Sequence, residues 1–299
     1  MSESTPPGTL EPTPEDDAFH PSNGHPWWTE TLWFAFMIPE RATIGYVYPI
    51  FRPAHGIQFG GVLVFDDTAE LPWELPFFHY DWHERIPAGL DLRDARLPGG
   101  LSWRVLEPGR VFQVGYDHPD LRLDLRYEAV APALVTRGTP PFAHGHIDQL
   151  CRVTGAMELR GETVPVDCLA MRDRSWGPRR DSRQQKVGYA YGAVSPEHAF
   201  LSVSVHQETG DRVSTGFLIR DGVWSRLRKG TREVVRDGRG RPRRVVVEAS
   251  DELGRTMSAQ GDVVSRQVFT AYPSMLCWDS LVRWELDGTT GWGGDQDVW

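Results

Sequence analysis

Two neighbouring runs hold the residues best equipped for chemistry. In "FAHGHIDQLCRVTG", His144, His146 and Asp148 recur at every second position, so on a strand all three share one face. Two imidazoles and a carboxylate on one surface can relay a proton or hold a divalent ion; equally, they can form a hydrogen-bonded cluster at a domain seam. In "VDCLAMRDRSWGPRR", alternation puts Met171, Asp173 and Ser175 on one face, and Arg172, Arg174 and Trp176 on the other, before Gly177 and Pro178 end the strand. A carboxyl in that setting is either a structural ion-pair partner or, walled by apolar groups, an acid of tuned protonation. Spacing leaves both open.

Three other stretches are read structurally. "FFHYDWHER" places His79, Asp81 and His83 on a polar face backed by Phe78, Tyr80 and Trp82. The basic run from Arg226 to Arg244, with eight arginines and a lysine, reads as exposed strand faces and turns that discourage edge pairing. The closing "GWGGDQDVW" is expected to pack Trp292 and Trp299 and to anchor Asp295 and Asp297 on the arginines of "RDRSWGPRR". "GTPPFAHGH" matches the opening of a cupin metal motif, but its acidic ligand would fall near Leu150 or Cys151. No metal site is therefore assigned.

The elements that carry these residues read as strands. Along "LRLDLRYEAV", Leu121, Leu123, Leu125, Tyr127 and Ala129 alternate with Arg122, Asp124, Arg126 and Glu128, the period of a strand with one buried face. Similar short runs recur throughout, joined by turn pairs such as Asp221-Gly222 and Asp237-Gly238. The expectation is an all-β chain in two sandwich or barrel units of about eight strands each. A disordered leader over 1–25 would precede an N-terminal domain over 26–140 and a C-terminal domain over 141–299, divided at the Pro- and Gly-rich "APALVTRGTPPFAHG".

Totals exclude several classes. A formal charge of −9 at pH 7 opposes a nucleic-acid partner, since phosphate binding needs a positive footprint. The most apolar run, Leu32 to Ile38, is far shorter than a membrane span. The 3 cysteines are scattered without metal spacing, which with the absence of an export signal fits a cytoplasmic protein. No phosphate loop, GxSxG elbow or complete metal motif stands out, so no cofactor is expected.

Together, "HGHIDQLCRVTG", "DCLAMRDRSWGPR" and "GWGGDQDVW" resemble bacterial proteins with HxEQ, RDRSWGxR and GW...QDxW elements. More distantly, the chain is similar to the tandem lipocalin-like superfamily of carotenoid 1,2-hydratases, AttH-like proteins and lipocalin-like Diels-Alderases. Asp148 stands where the pattern has Glu, a shorter carboxylate. The resemblance implies two lipocalin-like β-domains enclosing an apolar pocket. It also implies a carboxylic acid that protonates an alkene, with water capturing the cation. Asp173 is then the candidate acid and Asp148 the second, with His144 or His146 positioning water or returning the proton. Trp176, Tyr189, Tyr191, Trp278 and Trp284 would each offer about 0.5–2 kcal/mol of cation-π stabilisation, and Arg172, Arg174 and Gln149 complete the substrate-binding set. The implied function is a hydratase, isomerase or cyclase for a hydrophobic isoprenoid, steroid or polyketide-like substrate. The alternative is a carrier of a small lipophilic ligand. Oligomeric state is not read from the sequence.

Overall fold

The structure, a computed structural model, describes residues 11–139, 142–179, 186–270 and 275–299. Its first sheet is built from β1 (Trp28–Ile38), β2 (Thr43–Arg52), β3 (Ile57–Phe65), β4 (Phe77–Arg85), β5 (Asp94–Arg96), β6 (Leu101–Glu107), β7 (Val111–His118), β8 (Leu121–Ala129), β9 (Leu134–Thr139), β10 (Phe142–Leu159) and β11 (Glu162–Pro178). The strand order is β4-β3-β2-β1-β11-β10-β8-β7-β6-β5, with β9 pairing beside β10. The second unit is a closed barrel of β12 (Val187–Ser195), β13 (His198–Gln207), β14 (Gly210–Arg220), β15 (Val223–Arg236), β16 (Pro242–Asp251), β17 (Thr256–Phe269), β18 (Cys277–Leu286) and β19 (Thr289–Val298). The chain is all-β, a curled open sheet followed by a barrel.

Strand patterning follows what covers each face. On β8 the leucines and Tyr127 are buried while Arg122, Asp124, Arg126 and Glu128 are exposed, as a sheet with one wet side requires. On β1 all residues are buried, because both faces are covered. Phe34 packs inside the curl of the sheet on Phe112 and Tyr127. Trp33 faces the other way, onto Tyr189 and Tyr191 of the barrel. One apolar cluster therefore runs from Phe34 and Phe112 through Trp33 and Tyr46 to Tyr191, Leu201 and Leu281. A separate cluster around Phe200, Leu218, Val247 and Trp284 fills the barrel.

Three expectations change. Strand pairing does not change at residue 140: β10 and β11 belong to the first sheet, and the passage to the barrel lies between Pro178 and Val187. A domain division is proposed there instead. The leader is only partly outside the described residues; from Glu11 onward it is tied down. Asp16 and Asp17 are buried, Asp16 pairs with Arg137 at 2.7 Å, and His20 stacks on Trp176 with centroids 4.0 Å apart. Finally, among the described residues Asp295 and Asp297 pair with none of the arginines of "RDRSWGPRR", whose Arg180 lies outside them. They bind the basic run: Arg232 bonds Asp295 at 2.7 Å and Asp297 at 3.1 Å, and Arg236 also pairs with Asp297. Closure of the barrel brings β15 and β19 side chains together inside it, so Arg232 is a buried charge-assisted anchor and not a surface guard. Among the described residues no helix is long and apolar enough to cross a membrane.

Arg174 holds the leader to the sheet. It pairs with Glu30, both being almost wholly buried, and donates to the carbonyls of Ala18 at 2.8 Å and Thr31 at 3.1 Å. Removing one member of such a pair strands a buried charge, which costs about 3–5 kcal/mol. Glu30→Ala is therefore expected to lower unfolding free energy by about that amount in urea titration.

Candidate functional site

The register of three central strands builds the site. Asp173 on β11 stands opposite Trp33 on β1 and Asp148 on β10, so these side chains share the face turned toward the barrel. Two residues before Asp148, His146 lies on the same face, and its Nε2 meets Asp148 Oδ1 at 2.8 Å. From the barrel, the Tyr189 hydroxyl donates to that same oxygen at 2.8 Å. Asp148 Oδ2 is buried and makes no hydrogen bond. His146, Asp148 and Asp173 each offer an atom within 4.8 Å of the others.

Asp173 is not clasped by arginine: among the described residues it makes neither an ion pair nor a hydrogen bond. Alternation along β11 explains why. Arg172 and Arg174 point to the opposite side, where Arg172 donates to Gln149 at 2.9 Å and lies 4.0 Å over the Phe112 ring. Burial pushes the Asp173 carboxyl up to about 6; nearby His146 opposes this and the carboxylate of Asp148 adds to it. For His146, burial disfavours the proton, but the adjoining Asp148 carboxylate outweighs it and the pKa is raised. Burial, with Asp148 close by, raises the Tyr189 phenol well above its ordinary value, so it stays a donor. The arrangement can hold a neutral acid beside an imidazolium-carboxylate pair. The same three ligands could instead hold a divalent cation, whose charge would expel the proton from Asp173.

Of the residues expected here, the structure unites Asp173, Asp148, His146 and Tyr189, with Tyr191 next to Tyr189 at a ring-centroid distance of 6.2 Å. The others lie elsewhere. His144 is exposed and packs on Trp28. Arg172, Arg174, Gln149 and Trp176 occupy the far face of the first sheet, Trp176 among Trp28, Val135 and Ile147. Trp284 fills the barrel against Phe200 at 5.1 Å, and Trp278 shares its strand face by alternation. Sequence reading missed Trp33 and Tyr46, whose rings are 5.0 Å apart in the wall of the site. It also missed Asp279, a buried carboxyl between Cys277 and Leu281 at the buried end of a strand face whose other end carries exposed Arg283 and Glu285. That mismatch of type and face was visible in "CWDSL".

Residues 13–294 match the family described as "Domain of unknown function (DUF7064)". The chain belongs to the DUF7064 family. Comparison with curated protein sequences gives no match. Among solved structures, this DUF7064 chain is similar to an AttH candidate from Nitrosomonas europaea, with 16% identity, 100% and 99% of the two chains covered and a TM-score of 0.65. It is also similar to kievitone hydratase from Nectria haematococca, at 9% identity, 98% and 93% coverage and a TM-score of 0.61. For CghA the values are 12%, 91% and 88%, and 0.63. These likenesses establish a shared tandem lipocalin-like fold for the DUF7064 chain.

The raised carboxyl has a thermodynamic signature. A group protonated more readily in the folded state costs stability above its folded pKa, and the cost vanishes below the unfolded value. Asp173→Asn should therefore stabilise the protein at pH 8, by up to about 3 kcal/mol before solvent screening of this half-buried group. The gain should shrink as pH falls through about 6 toward 4. Thermal melts of both proteins across that range check this.

Proposed function

We propose that this protein is a cofactor-independent hydratase, isomerase or cyclase for a hydrophobic isoprenoid, steroid or polyketide-like substrate. The observation that carries the reading is Asp173: an acid near pKa 6, not ion-paired to arginine among the described residues, beside His146–Asp148 and Tyr189 and opposite Trp33, whose ring packs on Tyr189 and Tyr191. Such an acid is close enough to neutrality to donate while still holding a proton in part of the population at pH 7. Asp173 gives its proton to one alkene carbon, the π pair forming the new C–H bond. Positive charge develops on the other carbon, where the ring faces stabilise it by about 0.5–2 kcal/mol each. In hydration, the oxygen of water forms the C–O bond and its proton passes to solvent or to the imidazole when that is neutral. In isomerisation or cyclisation, loss of a proton or attack by a second alkene ends the reaction. That one neighbour of the same fold is a hydratase by name supports the class without supplying the substrate. The 3 cysteines, all free, support the proposal of a cytoplasmic location.

The test uses a panel of unsaturated isoprenoids, steroids and polyketides incubated in D2O or H2-18O and analysed by mass spectrometry. Protonation by Asp173 should add solvent deuterium at carbon, and hydration should add one labelled oxygen. Asp173→Asn should lower label incorporation by about 100-fold or more while ligand binding persists. Rates should fall as pH rises through about 6, since the acid form is the active one. Binding with no label incorporation by the wild type would favour a carrier.

A further inference from the structure

A line of polar side chains crosses the apolar seam on the barrel side. Gln267 on β17 is opposite Asp279 on β18, Asp279 is opposite Gln296 on β19, and Gln296 is opposite Tyr189 on β12. Directly opposed residues share a face, so the four form one row that ends at Asp148 through the Tyr189 hydroxyl. Gln267 donates to Asp279 Oδ2 at 2.8 Å, and the Cys277 thiol to Oδ1 at 3.4 Å.

Around Asp279 the polar inventory is incomplete. The hydroxyls of Tyr46 and Tyr191 and the amide oxygen Oε1 of Gln267 are buried and make no hydrogen bond. Tyr46 is 2% exposed, Tyr191 1%, Gln267 0% and Asp279 1%. A Cβ on Gly294 would come within 3.1 Å of the Tyr191 hydroxyl oxygen. The phenol thus lies across β19 toward β18, where Asp279 sits. After burial, Asp279 is the largest influence that raises the Tyr46 phenol, and Asp279 also acts on Tyr191, so phenols from both units of the fold feel its charge. Buried groups without partners cost about 1–3 kcal/mol each, and native proteins seldom keep several together without something to bind. The set is mixed: two phenols that can donate, and an amide oxygen and a carboxyl that can accept.

We propose that Tyr46, Tyr191, Gln267 and Asp279 form a second subsite that binds a hydroxyl group of the substrate, separated from Asp173 by the ring of Trp33. This rests on the reading of the seam as a substrate site, and it narrows the substrate to an oxygenated lipophile with an alcohol or phenol at the end away from the reacting alkene. A phenol of the protein donates to the ligand oxygen, and the ligand O–H donates to Gln267 or Asp279. Burial pushes the Asp279 carboxyl up to about 7, so such an O–H is held best at neutral to alkaline pH, where the carboxylate accepts.

The experiment is calorimetric titration of the full-length protein with 2-naphthol and with 2-methoxynaphthalene, which lacks the O–H. Wild type should prefer 2-naphthol by roughly tenfold or more at pH 8. Tyr191→Phe and Asp279→Asn should each reduce the preference to less than about threefold, with near-UV circular dichroism verifying their folds and Tyr46→Phe serving if either fails to fold. Asp173→Asn should leave the preference intact. Equal affinities, binding of neither probe, or a preference that survives the subsite variants would overturn the proposal. Loss of label incorporation in Asp173→Asn is an independent readout, so the subsite and the acid can fail separately.

Discussion

The interaction on which the rest depends is the antiparallel pairing of β11 with β10 and β1, which sets Asp173 beside Asp148 on one face and Arg172 and Arg174 on the other. Strand alternation makes that separation compulsory: a carboxyl and guanidinia at adjacent positions of one strand are sent into different compartments. Had the register slipped by one residue, the arginines would face Tyr189 and Asp173 would lie beside Glu30 inside the curled sheet. Guanidinia would then stand in the seam in place of Asp173, and β11 would supply no acid there.

The two compartments are furnished for opposite purposes. Inside the curl, Arg174 has Glu30 and backbone carbonyls around it. Inside the barrel, Arg232 has Asp295, Asp297 and Asp211. For these two arginines burial of charge is matched by opposite charge, whereas Arg172, also inside the curl, rests on the Gln149 amide and the Phe112 ring. In the seam between them the carboxyls of Asp173 and Asp279 have no cation at salt-bridge distance among the described residues, and both titrate upward because of burial. Water or a cation would favour the ionised forms, so the apolar cluster joining the sheet to the barrel is what holds both carboxyls toward neutrality.

Residues show how far this was legible. The alternation of "LRLDLRYEAV" and the division of "MRDRSW" into two faces required only the period of a strand, and both hold. The Arg174 partner did not follow, because Glu30 is 144 residues away and pairing of distant strands is not encoded in local pattern. The same limit misdirected Asp295 and Asp297, whose partner Arg232 is chosen by barrel closure. Trp278 and Trp284 were assigned by side-chain type. Parity along β18 sends them into the barrel and turns Asp279 toward the seam, so a carboxyl lies where an aromatic had been expected.

The position of Trp33 then explains how one seam can serve two polar ends. Its ring centroid is 5.9 Å from that of Tyr189, whose hydroxyl serves Asp148, and 5.0 Å from that of Tyr46, whose phenol is raised by burial and by the Asp279 charge. On the barrel side the two polar ends are joined by the row of Asp279, Gln296 and Tyr189, whereas on the sheet side the indole sets an apolar surface near both. It is also the surface that an apolar ligand spanning both would cover. The apolar ring is therefore as much a part of the acid's environment as the carboxylate of Asp148.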